Sequence, residues 1–419
     1  MSAPLGTSKL NCRRRAINEG LWHAESRGKA REGDDRESRL NILVTDASYK
    51  HAVGMIRALG RAGHRVIAVA TSRFAPGRFS RYAERCVQVR SAAGDPDGFV
   101  DDLLGLVTTF DINLVIPVGF ASTEAVVRHR DRFLSSKATI VVPTADTFGQ
   151  AADKLAMTQV AEGLGIAVPE TVSVDDVEAV RAFVSKYPRG IVKARRESLI
   201  KGARRVEFTG DAASDLERIQ AALPVRGAGT AILQEFIPGT GAGYSALAVA
   251  GKIVREFAHY RLREWPPSGG YATAAVSTDD PELVRLGRAL IGALHWNGPA
   301  MVEFRRGPQG YHFIELNPKF WGSLELGLAA GADFPGDLVR LAEGEDLTGR
   351  PVPGYKVGLR YWWPWRGDLR RLTCRPGSIG AVLSFAFNPS VRSNWSWRDP
   401  LPNVIEIGGE LLYPIRRHD

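Results

Sequence analysis

The chain of 419 residues lacks the long apolar stretches that a membrane-spanning helix requires. Such a helix takes about 18 or more consecutive apolar residues, and no run of that length occurs. The N-terminus is rich in arginine rather than in apolar residues, which argues against a secretory signal peptide. We therefore expect a cytoplasmic protein without a transmembrane segment.

Cysteine is scarce as well. The three cysteines, Cys12, Cys86 and Cys374, are scattered along the chain and show no metal-binding spacing. Their odd number and wide separation disfavour a disulfide framework and suit a reducing compartment. We expect them to be inert packing residues.

An excess of one charge sign is missing from the main body of the chain. The net charge of +9 arises from residues 1–40, which carry +3, and residues 350–419, which carry +6. The part between them is neutral, so no nucleic-acid partner is expected. The basic C-terminal end either serves solubility or meets an acidic partner, a membrane surface or a substrate.

The glycine fingerprint of a dinucleotide site is also absent. Strands and helices alternate over residues 40–150, from "LNILVTDA" to "ATIVVPT", which predicts a doubly wound α/β domain with its last strand at 138–144. The turn after the first strand reads "TDASYKHAVG" and contains no G-x-G-x-x-G. Without those glycines the backbone cannot approach a pyrophosphate in the usual way, which disfavours a nicotinamide cofactor.

The remaining segments differ in character from this domain. Residues 1–39 are polar and lack periodicity, which predicts a disordered basic tail. Residues 151–345 mix glycine-bounded strands with helices, so we expect an α+β domain. Residues 346–419 form a C-terminal region rich in tryptophan and arginine.

Two carboxylates interrupt an apolar hairpin in "MVEFRRGPQGYHFIELNPKF". A three-residue loop, Pro308-Gln309-Gly310, would pair Glu303 with Glu315 across the strands. Strand alternation then predicts that Tyr311, Phe313, Glu315 and Asn317 share one face. A two-residue loop would instead pair Glu303 with Ile314 and separate the carboxylates.

Two carboxylates about 4 Å apart repel each other by roughly 1 to 4 kcal/mol, so a positive partner is expected between them. Two carboxylates and the amide of Asn317 are oxygen ligands of the kind that Mg²⁺ prefers. The alternative is an exposed strand face whose charge is neutralised by Arg305 or Lys319.

The segment "VEFRRGPQGYHFIELNPKFWGSLELGLAAGADFP" resembles the metal-binding end of the ATP-grasp superfamily, in its carbamoyl-phosphate-synthase-like, carboxylate-amine-ligase-like form. The resemblance extends over roughly residues 41–345. It implies a pre-ATP-grasp domain over 40–150, followed by a two-lobed ATP-grasp fold. It also implies that Glu303, Glu315 and Asn317 bind Mg²⁺, or Mn²⁺, that carries ATP.

The same resemblance implies the nucleotide contacts. Lys154 and Lys193 match the two nucleotide lysines, and "ILQEFIPG" matches the hinge that receives adenine, which comprises Gln234, Glu235, Phe236 and Ile237. Read alone, Lys154 is an ordinary surface residue at a helix start, and the hinge is an ordinary strand that ends in a Pro-Gly turn. Lys193 is more informative, because a lysine between apolar strand residues wants an anionic partner.

The segment "HYRLREWPPSGGYATAA" resembles the acceptor-side segment of similar ligases. Arg261 and Arg263 would alternate onto one face and bind a carboxylate or the transferring phosphoryl group, and Gly269-Gly270 would allow a close approach. Lys319 stands where many members have arginine, which implies a transition-state cation. His259 is either a base or, as a lone histidine more often is, structural.

The loop after Lys193 departs from the family pattern. It reads "ARRESLIKGARRV" and has one glycine where members are glycine-rich. Its cations either hold phosphate by their side chains or belong to a solvated basic hairpin; they include Arg195, Arg196, Lys201 and Arg204. The acidic residue that often meets the ribose after the hinge is also missing, and Glu235 is the candidate replacement.

The function that the resemblance implies is an ATP-dependent carboxylate-amine, or carboxylate-thiol, ligase that works through an acylphosphate. Its partners would be a small-molecule carboxylate and an amine, and a homodimer is common among similar proteins. Two alternatives stay open: another ATP-grasp reaction such as carboxylation or phosphotransfer, and a non-catalytic nucleotide-binding regulator.

Overall fold

The computed structural model describes residues 39–196, 203–223, 227, 229–265, 270–368 and 379–412. Except for Arg39, the predicted disordered tail lies outside the described residues, as do Cys12 and Cys374. Cys86 is a half-buried free thiol whose pKa is raised by burial.

The described residues form three sheets and the helices that cover them. The strands are β1 Asn41–Val44, β2 Arg65–Ala70, β3 Arg85–Gln88, β4 Leu114–Ile116, β5 Thr171–Ser173, β6 Arg189–Ala194, β7 Arg204–Glu207, β8 Ala231–Glu235, β9 Thr240–Val249, β10 Lys252–Trp265, β11 Tyr271–Thr278, β12 Gly298–Gly307, β13 Gly310–Asn317, β14 Arg360–Trp362 and β15 Val391–Ser393. The α-helices are α1 Lys50–Arg61, α2 Pro96–Thr109, α3 Phe120–Arg128, α4 Arg130–Leu134, α5 Ala145–Ala152, α6 Lys154–Gly163, α7 Val177–Lys186, α8 Ala212–Ala222, α9 Pro281–Ala293, α10 Leu324–Ala330, α11 Phe334–Ala342, α12 Ile379–Ala386 and α13 Leu401–Leu412. Within the described part of the chain, none of these helices has the length and apolar character needed to cross a membrane.

The first domain is built on a parallel sheet of order β3-β2-β1-β4. Alternate residues of β1 pack on opposite faces: Ile42 and Val44 join the cluster with α1, and Leu43 joins the cluster with α2 and α3. Helices therefore cover both faces, as a doubly wound sheet requires. The predicted α/β architecture of this domain is confirmed.

The predicted last strand of this domain, at 138–144, is wrong. Only Thr139 bridges the sheet, opposite Leu114. The chain then turns to the second domain, where the carbonyl of Val142 accepts a hydrogen bond of 2.9 Å from Asn297. The carbonyl oxygen of Val141 would lie 2.6 Å from a Cβ placed on Gly298. After Thr139 the backbone therefore packs against the second domain instead of continuing along the sheet.

The small lobe that follows is an antiparallel sheet of order β5-β8-β6-β7, with α7 and α8 on one face. Val180 and Phe183 from α7 pack with Val192 of β6 and Leu233 of β8 in its core. This core is separate from the other three hydrophobic clusters, so the lobe is a distinct packing unit above the large sheet.

The large sheet has the order β13-β12-β9-β10-β11-β14-β15. One face packs against α6 and α9, and the other shares a core with α1, α10, α11 and the first domain. Strands β14 and β15 come from the C-terminal region, so residues 346–419 extend the sheet of the preceding domain.

A buried ion pair ties the C-terminal region to the first domain. The guanidinium of Arg57 in α1 donates to the carboxylate of Asp399 at 2.9 Å, and both side chains are almost fully buried. Arg57 also donates to the carbonyl of Asn394 and to the side chain of Asn403. Asp399 accepts further bonds from the hydroxyl of Ser80 and the backbone of Arg81. The guanidinium and the carboxylate of this pair thus each have several hydrogen-bond partners, as a buried ion pair requires.

Candidate active site

A cavity of about 660 Å³ lies between the small lobe, the large sheet and the first domain. Its described lining includes nearly all residues that the sequence analysis selected: Lys154, Lys193, Gln234, Glu235, Phe236, Ile237, Arg261, Glu303, Glu315, Asn317 and Lys319. Arg263, which the resemblance implies to be catalytic, does not line it. The structure therefore brings residues more than 160 positions apart into one cleft.

The hairpin that carries the carboxylates has a shorter turn than the sequence predicts. Gly307 pairs with Gly310, so the loop has two residues, Pro308 and Gln309, and the three-residue prediction is wrong. Glu303 nevertheless pairs with Glu315, because a bulge at Ile314 adds one residue to β13.

The bulge reverses the face on which the odd-numbered residues of β13 lie. Tyr311 and Phe313 pack with Phe304 in the core beneath the sheet, whereas Glu315 and Asn317 line the cavity. The predicted common face for all four residues is therefore wrong. Without the extra residue, a two-residue turn would have directed Glu315 into the apolar core.

Glu315 lies among lysines. Its carboxylate is 3.4 Å from the ammonium of Lys154. Burial alone would raise the pKa of this carboxyl, but the charges of Lys154, Lys193 and Lys319 outweigh burial and lower the pKa to about 2. Glu315 is therefore ionised at any physiological pH.

Glu303 has a different environment. Its carboxylate is 2.6 Å from the guanidinium of Arg261 and accepts a hydrogen bond of 3.1 Å from the amide of Asn317. Burial raises the pKa of Glu303, Arg261 lowers it and Glu315 raises it, and the net change is upward. Two half-buried carboxylates that face each other thus depend on nearby positive charge.

These side chains fit a hard divalent cation. Glu303 and Glu315 are cross-strand neighbours, and Asn317, two residues along β13, lines the same cavity. Oxygen donors of this kind, with no sulfur or imidazole among them, favour Mg²⁺ or Mn²⁺ over zinc. Three such ligands leave coordination positions for water and phosphate oxygens.

Lys193 enters the cavity from β6 of the small lobe. Its side chain is buried, and burial lowers its pKa to about 8 although Glu315 and Glu303 counteract the shift. At pH 7 the ammonium is still mostly protonated. A buried ammonium group of this kind is stabilised by an anion that binds next to it.

The predicted hinge connects the small lobe with the large sheet. Its polar groups are held in place: the amide of Gln234 donates to the hydroxyl of Thr171, and the Glu235 carboxylate accepts from the backbone of Glu170. The ring of Phe236 is contacted by the guanidinium group of Arg205, 4.8 Å from its centroid. Gly239 closes the hinge, with φ at +134°, and a Cβ there would lie 2.1 Å from the carbonyl oxygen of Arg306.

Arg261 and Arg263 do not share a face as predicted. Register shifts on both sides of Arg263 interrupt the alternation of β10. Arg261 turns into the cavity towards Glu303, whereas Arg263 forms a 2.6 Å ion pair with the buried Asp368 and lies 4.1 Å from the ring of Phe385. Arg263 therefore joins β10 to the C-terminal region and does not line the described cavity.

The glycine-poor loop falls partly outside the described residues, which end at Arg196 and resume at Ala203. Arg195 pairs with Asp153 at 2.7 Å, and Arg196 pairs with Glu124 at 3.4 Å while it also lines the cavity. Lys201 lies outside the described residues, and so does Gly269 of the predicted acceptor segment. Gly270 is described, and its carbonyl accepts a 2.9 Å hydrogen bond from Arg261.

Sequence reasoning missed one wall of the cavity. Tyr49, Lys50 and His51 of the first domain line it beside Gly322 and Ser323. They follow β1, in the turn that lacks the glycine fingerprint of a dinucleotide site and was therefore not predicted to bind a ligand. The available signal was positional: the turn after the first strand of a parallel sheet lies at its carboxyl edge, where ligands bind.

His259 is a second residue whose place in the site the sequence predicts only weakly. Its ring is 1% exposed, lines the cavity and lies 3.3 Å from the hydroxyl of Ser323. Burial and the charge of Arg261 lower the pKa of His259 to about 3, so the ring is neutral near pH 7. The ring fits only because residue 243 is glycine, since a Cβ there would lie 2.4 Å from its Cε1 atom.

Comparison with solved structures identifies the fold. The chain is similar to a biotin carboxylase–ATP complex from Campylobacter jejuni, with 16% identity and a TM-score of 0.60 over 78% of this chain and 75% of that one. It is also similar to L-amino acid ligase from Bacillus licheniformis, with 17% identity and a TM-score of 0.54 over 74% and 75%. The chain has the ATP-grasp fold.

The ATP-grasp neighbours include carboxylases as well as ligases. The biotin carboxylase domain dimer of Hydrogenobacter thermophilus 2-oxoglutarate carboxylase, in complex with MgADP and bicarbonate, matches with 16% identity and a TM-score of 0.58 over 77% of this chain and 74% of that one. No protein-family model matches the sequence, and no curated protein matches it. The predicted two-lobed ATP-grasp fold with a preceding α/β domain is confirmed.

Proposed function

We propose that the protein is an ATP-dependent ligase that activates a small-molecule carboxylate as an acylphosphate and joins it to an amine or a thiol. The observation that carries the proposal is the convergence of Lys154, Lys193, Glu303, Glu315 and Asn317 on one cavity beside the hinge. These residues come from three separate stretches of the chain, so their meeting in one cleft supports a common task.

The chain's own residues supply positioning and charge. Lys193 reaches the cavity from the small lobe and Lys154 from the start of α6, so both would contact phosphate oxygens of ATP between the lobes. Glu303, Glu315 and Asn317 would hold Mg²⁺, which would neutralise the part of the phosphate charge that the two lysines do not balance. Arg261 and Lys319, on the large sheet and the segment after it, would face the carboxylate and the transferring phosphoryl group.

The reaction then balances in two steps. A carboxylate oxygen attacks the γ-phosphorus, the bond to the β-phosphate oxygen breaks, and ADP leaves. The uncharged amine nitrogen attacks the acyl carbon, the carbon–oxygen bond to phosphate breaks, and the nitrogen loses a proton as inorganic phosphate leaves. An amine that starts as the ammonium ion releases one net proton overall. Neither step needs a covalent bond to the protein, in keeping with the lack of a cysteine among the described lining residues.

Two alternative functions can be distinguished from this one by experiment. The carboxylases among the structural neighbours favour a second candidate, carboxylation, in which bicarbonate is the carboxylate that is activated. The glycine-poor loop motivates a third, a nucleotide-binding regulator without turnover. The complete set of Glu303, Glu315 and Asn317 supports catalysis over regulation, because a purely regulatory site does not need to orient the γ-phosphate.

The test is ADP release measured with pools of carboxylates, each with hydroxylamine as a small uncharged nucleophile. A ligase forms a hydroxamate from the acylphosphate, in an amount equal to the ADP released. Bicarbonate alone as the supporting acid would indicate carboxylation instead. ATP binding without ADP release in any pool would support the regulator and contradict the proposal.

Two predictions about the context of the enzyme accompany this proposal. We infer a cytoplasmic location, because the reaction consumes ATP. A homodimer is the expected assembly, as in the biotin carboxylase domain dimer named above. Light scattering after gel filtration measures it, and a mass of one chain, 45.7 kDa, would contradict it.

Replacing Lys193 tests the phosphate contact. Lys193→Met removes the buried cation while keeping an apolar side chain of similar length, and we expect the Kd for a non-hydrolysable ATP analogue to rise about 10- to 100-fold, because hydrogen bonds to charged groups contribute about 1.5 to 3 kcal/mol. Calorimetric titration measures the Kd. Lys186→Met is the matched control in the same lobe, since Lys186 is exposed and pairs with Glu170. Equal Kd values for the two variants would show that Lys193 does not contact the nucleotide.

A further inference from the structure

The C-terminal region exposes an unusual number of large apolar side chains. Twelve such side chains are exposed among the described residues, and half of them lie within residues 379–404. These six form what we name the apolar patch: Ile379, Leu383, Phe387, Trp397, Leu401 and Val404. Phe387 is 81% exposed and Trp397 is 84% exposed, so the two largest members lie almost entirely in solvent. Exposed apolar residues that are concentrated in this way mark an interaction site.

Helix α12 contributes one row of the apolar patch. Ile379, Leu383 and Phe387 are four residues apart, a spacing that places them on the same side of a helix. Phe387 follows the last residue of α12, but its backbone amide still donates to the carbonyl of Leu383 at 3.0 Å, which continues the helical turn. Val382, on another side, is buried. The helix therefore packs through one side and exposes an apolar row on the other.

Helix α13 reverses the ordinary amphipathic arrangement. Two of its buried side chains are polar: Asn403 accepts a hydrogen bond from Arg57, and Glu406 accepts one from Asn394. Leu401 and Val404 of the same helix are exposed. A surface helix normally buries its apolar residues and exposes its polar ones. The reversed arrangement is expected where the outer side of a helix meets an apolar medium.

Contacts between aromatic and charged side chains connect the parts of the apolar patch. The guanidinium that lies over the ring of Phe385 in α12 is the ion-pair partner of Asp368. Trp365, in the same helical turn as Asp368, packs against Trp395 with ring centroids 5.9 Å apart. Trp395 packs in turn against Trp397, at 5.2 Å, and α13 begins four residues later. The exposed side chains therefore belong to one packed region.

The exposed charges of this region have one sign. In the described part of residues 351–409, the exposed charged side chains are all cationic: Lys356, Arg360, Arg392 and Arg398. The described acids of the same part are all buried: Asp368, Asp399 and Glu406. Residues 350–419 carry a net charge of +6, whereas residues 41–349 are neutral. The apolar patch thus lies in a basic part of the surface.

We propose that the apolar patch binds the surface of a membrane that contains anionic lipid. Its aliphatic side chains and Phe387 would enter the boundary between headgroups and acyl chains. Trp397 would lie at the level of the headgroups, where tryptophan is enriched, and Arg392 and Arg398 would attract the anionic headgroups. The inference goes beyond the proposed ligase activity, because membrane binding of this kind requires neither ATP nor a substrate.

A second copy of the chain matches the apolar patch less well than an anionic membrane does. A symmetric dimer through the patch would bring the same surface of both protomers together. The exposed cations, including Arg392 and Arg398, would then lie near their counterparts, while the described acids of the region are buried. Like charges disfavour that contact, whereas anionic headgroups have the complementary charge.

Flotation of the full chain with lipid vesicles tests the inference without any substrate. We expect at least about tenfold more binding to phosphatidylcholine vesicles with about 30% phosphatidylglycerol than to vesicles of phosphatidylcholine alone, because each basic residue near an anionic surface contributes about a fivefold gain. The difference should shrink when the salt concentration rises from about 0.1 M to about 0.5 M, since salt screens exposed charges.

Substitutions at exposed positions separate the apolar from the electrostatic contribution. Phe387→Ser combined with Trp397→Ser should lower binding at least about tenfold, because it removes the two largest exposed apolar side chains. Arg392→Gln combined with Arg398→Gln should lower binding to the anionic vesicles about 10- to 30-fold and leave binding to phosphatidylcholine unchanged. Circular dichroism checks that each variant is folded.

A matched pair of leucines supplies the control. Leu383 in the apolar patch is 45% exposed, and Leu164, which follows α6 outside the patch, is 42% exposed. We expect Leu383→Ser to weaken vesicle binding and Leu164→Ser to leave it unchanged. Equal effects of the two substitutions would contradict a specific role of the patch.

Three other outcomes would overturn the inference. The first is a lack of binding to the anionic vesicles, and the second is binding that the variant with Phe387→Ser and Trp397→Ser retains in full. If that variant loses a dimer seen by light scattering and still binds vesicles, the patch is a contact between copies of the chain. If the patch binds soluble poly-glutamate and the chain does not bind vesicles, the partner is an acidic protein.

Discussion

Glu315→Gln should reduce Mg-ATP turnover at least about 100-fold while the protein stays folded, a loss comparable with removal of a single group that stabilises transition-state charge. The substitution keeps the shape of the side chain and removes a negative charge that faces Glu303 across the strands. It thereby removes the charge of a proposed metal ligand and the counter-charge of Lys154 and Lys193. ADP release at saturating ATP and Mg²⁺ measures the effect, and circular dichroism checks the fold.

The matched control is Glu256→Gln. Glu256 is also a buried glutamate of the large sheet, but it pairs with Arg288 and Tyr244 and does not line the cavity. We expect this variant to lose stability and to keep turnover. Undiminished turnover in Glu315→Gln would show that the metal assignment is wrong, whatever the control does.

Arg57→Met should lower the free energy of unfolding by about 3 to 5 kcal/mol, because it leaves the carboxylate of Asp399 buried without its cation. A loss of that size is a large part of the roughly 5 to 15 kcal/mol that stabilises a typical domain. Urea unfolding followed by far-UV circular dichroism measures it, because residues 40–150 contain no tryptophan that could report on the first domain by fluorescence. The effect should be seen in both the first domain and the C-terminal region, since the pair joins them.

Two further variants define the cause of that loss. Arg61→Met, at an exposed position of the same helix, should change stability by less than about 1 kcal/mol. Arg57→Met combined with Asp399→Asn should recover part of the loss, because the amide of asparagine carries no uncompensated charge. A double variant as unstable as Arg57→Met would attribute the loss to packing rather than to the buried charge.

The hairpin shows how far the sequence determines the site. The choice of Glu303, Glu315 and Asn317 required only residue type and spacing, and they do line one cavity. The predicted pairing of Glu303 with Glu315 is correct, but the predicted three-residue loop is not. A two-residue loop and a bulge in β13 together produce the same pairing. Bulges respond to twist and to packing across the sheet, which local sequence does not encode.

Long-range contacts account for the other differences. The alternation of β10 predicted one face for Arg261 and Arg263, but the buried Asp368, more than 100 residues later, takes Arg263. The role of Lys50 in the cavity wall depends on how the first domain packs on the second. Such contacts form between segments that are far apart in the chain, so residue spacing within one segment cannot predict them.

The ion pair between Arg57 and Asp399 has a consequence for synthesis of the chain. Its two residues are 342 positions apart. At about 5 to 20 residues per second, a ribosome needs roughly 20 to 70 s to pass from one to the other. The first sheet can form once β4, which ends at Ile116, has been made, yet the guanidinium in its covering helix then still lacks Asp399 as its counter-ion. The nascent first domain thus reaches full stability only when translation is almost finished, which makes the interval a window in which chaperones and proteases act.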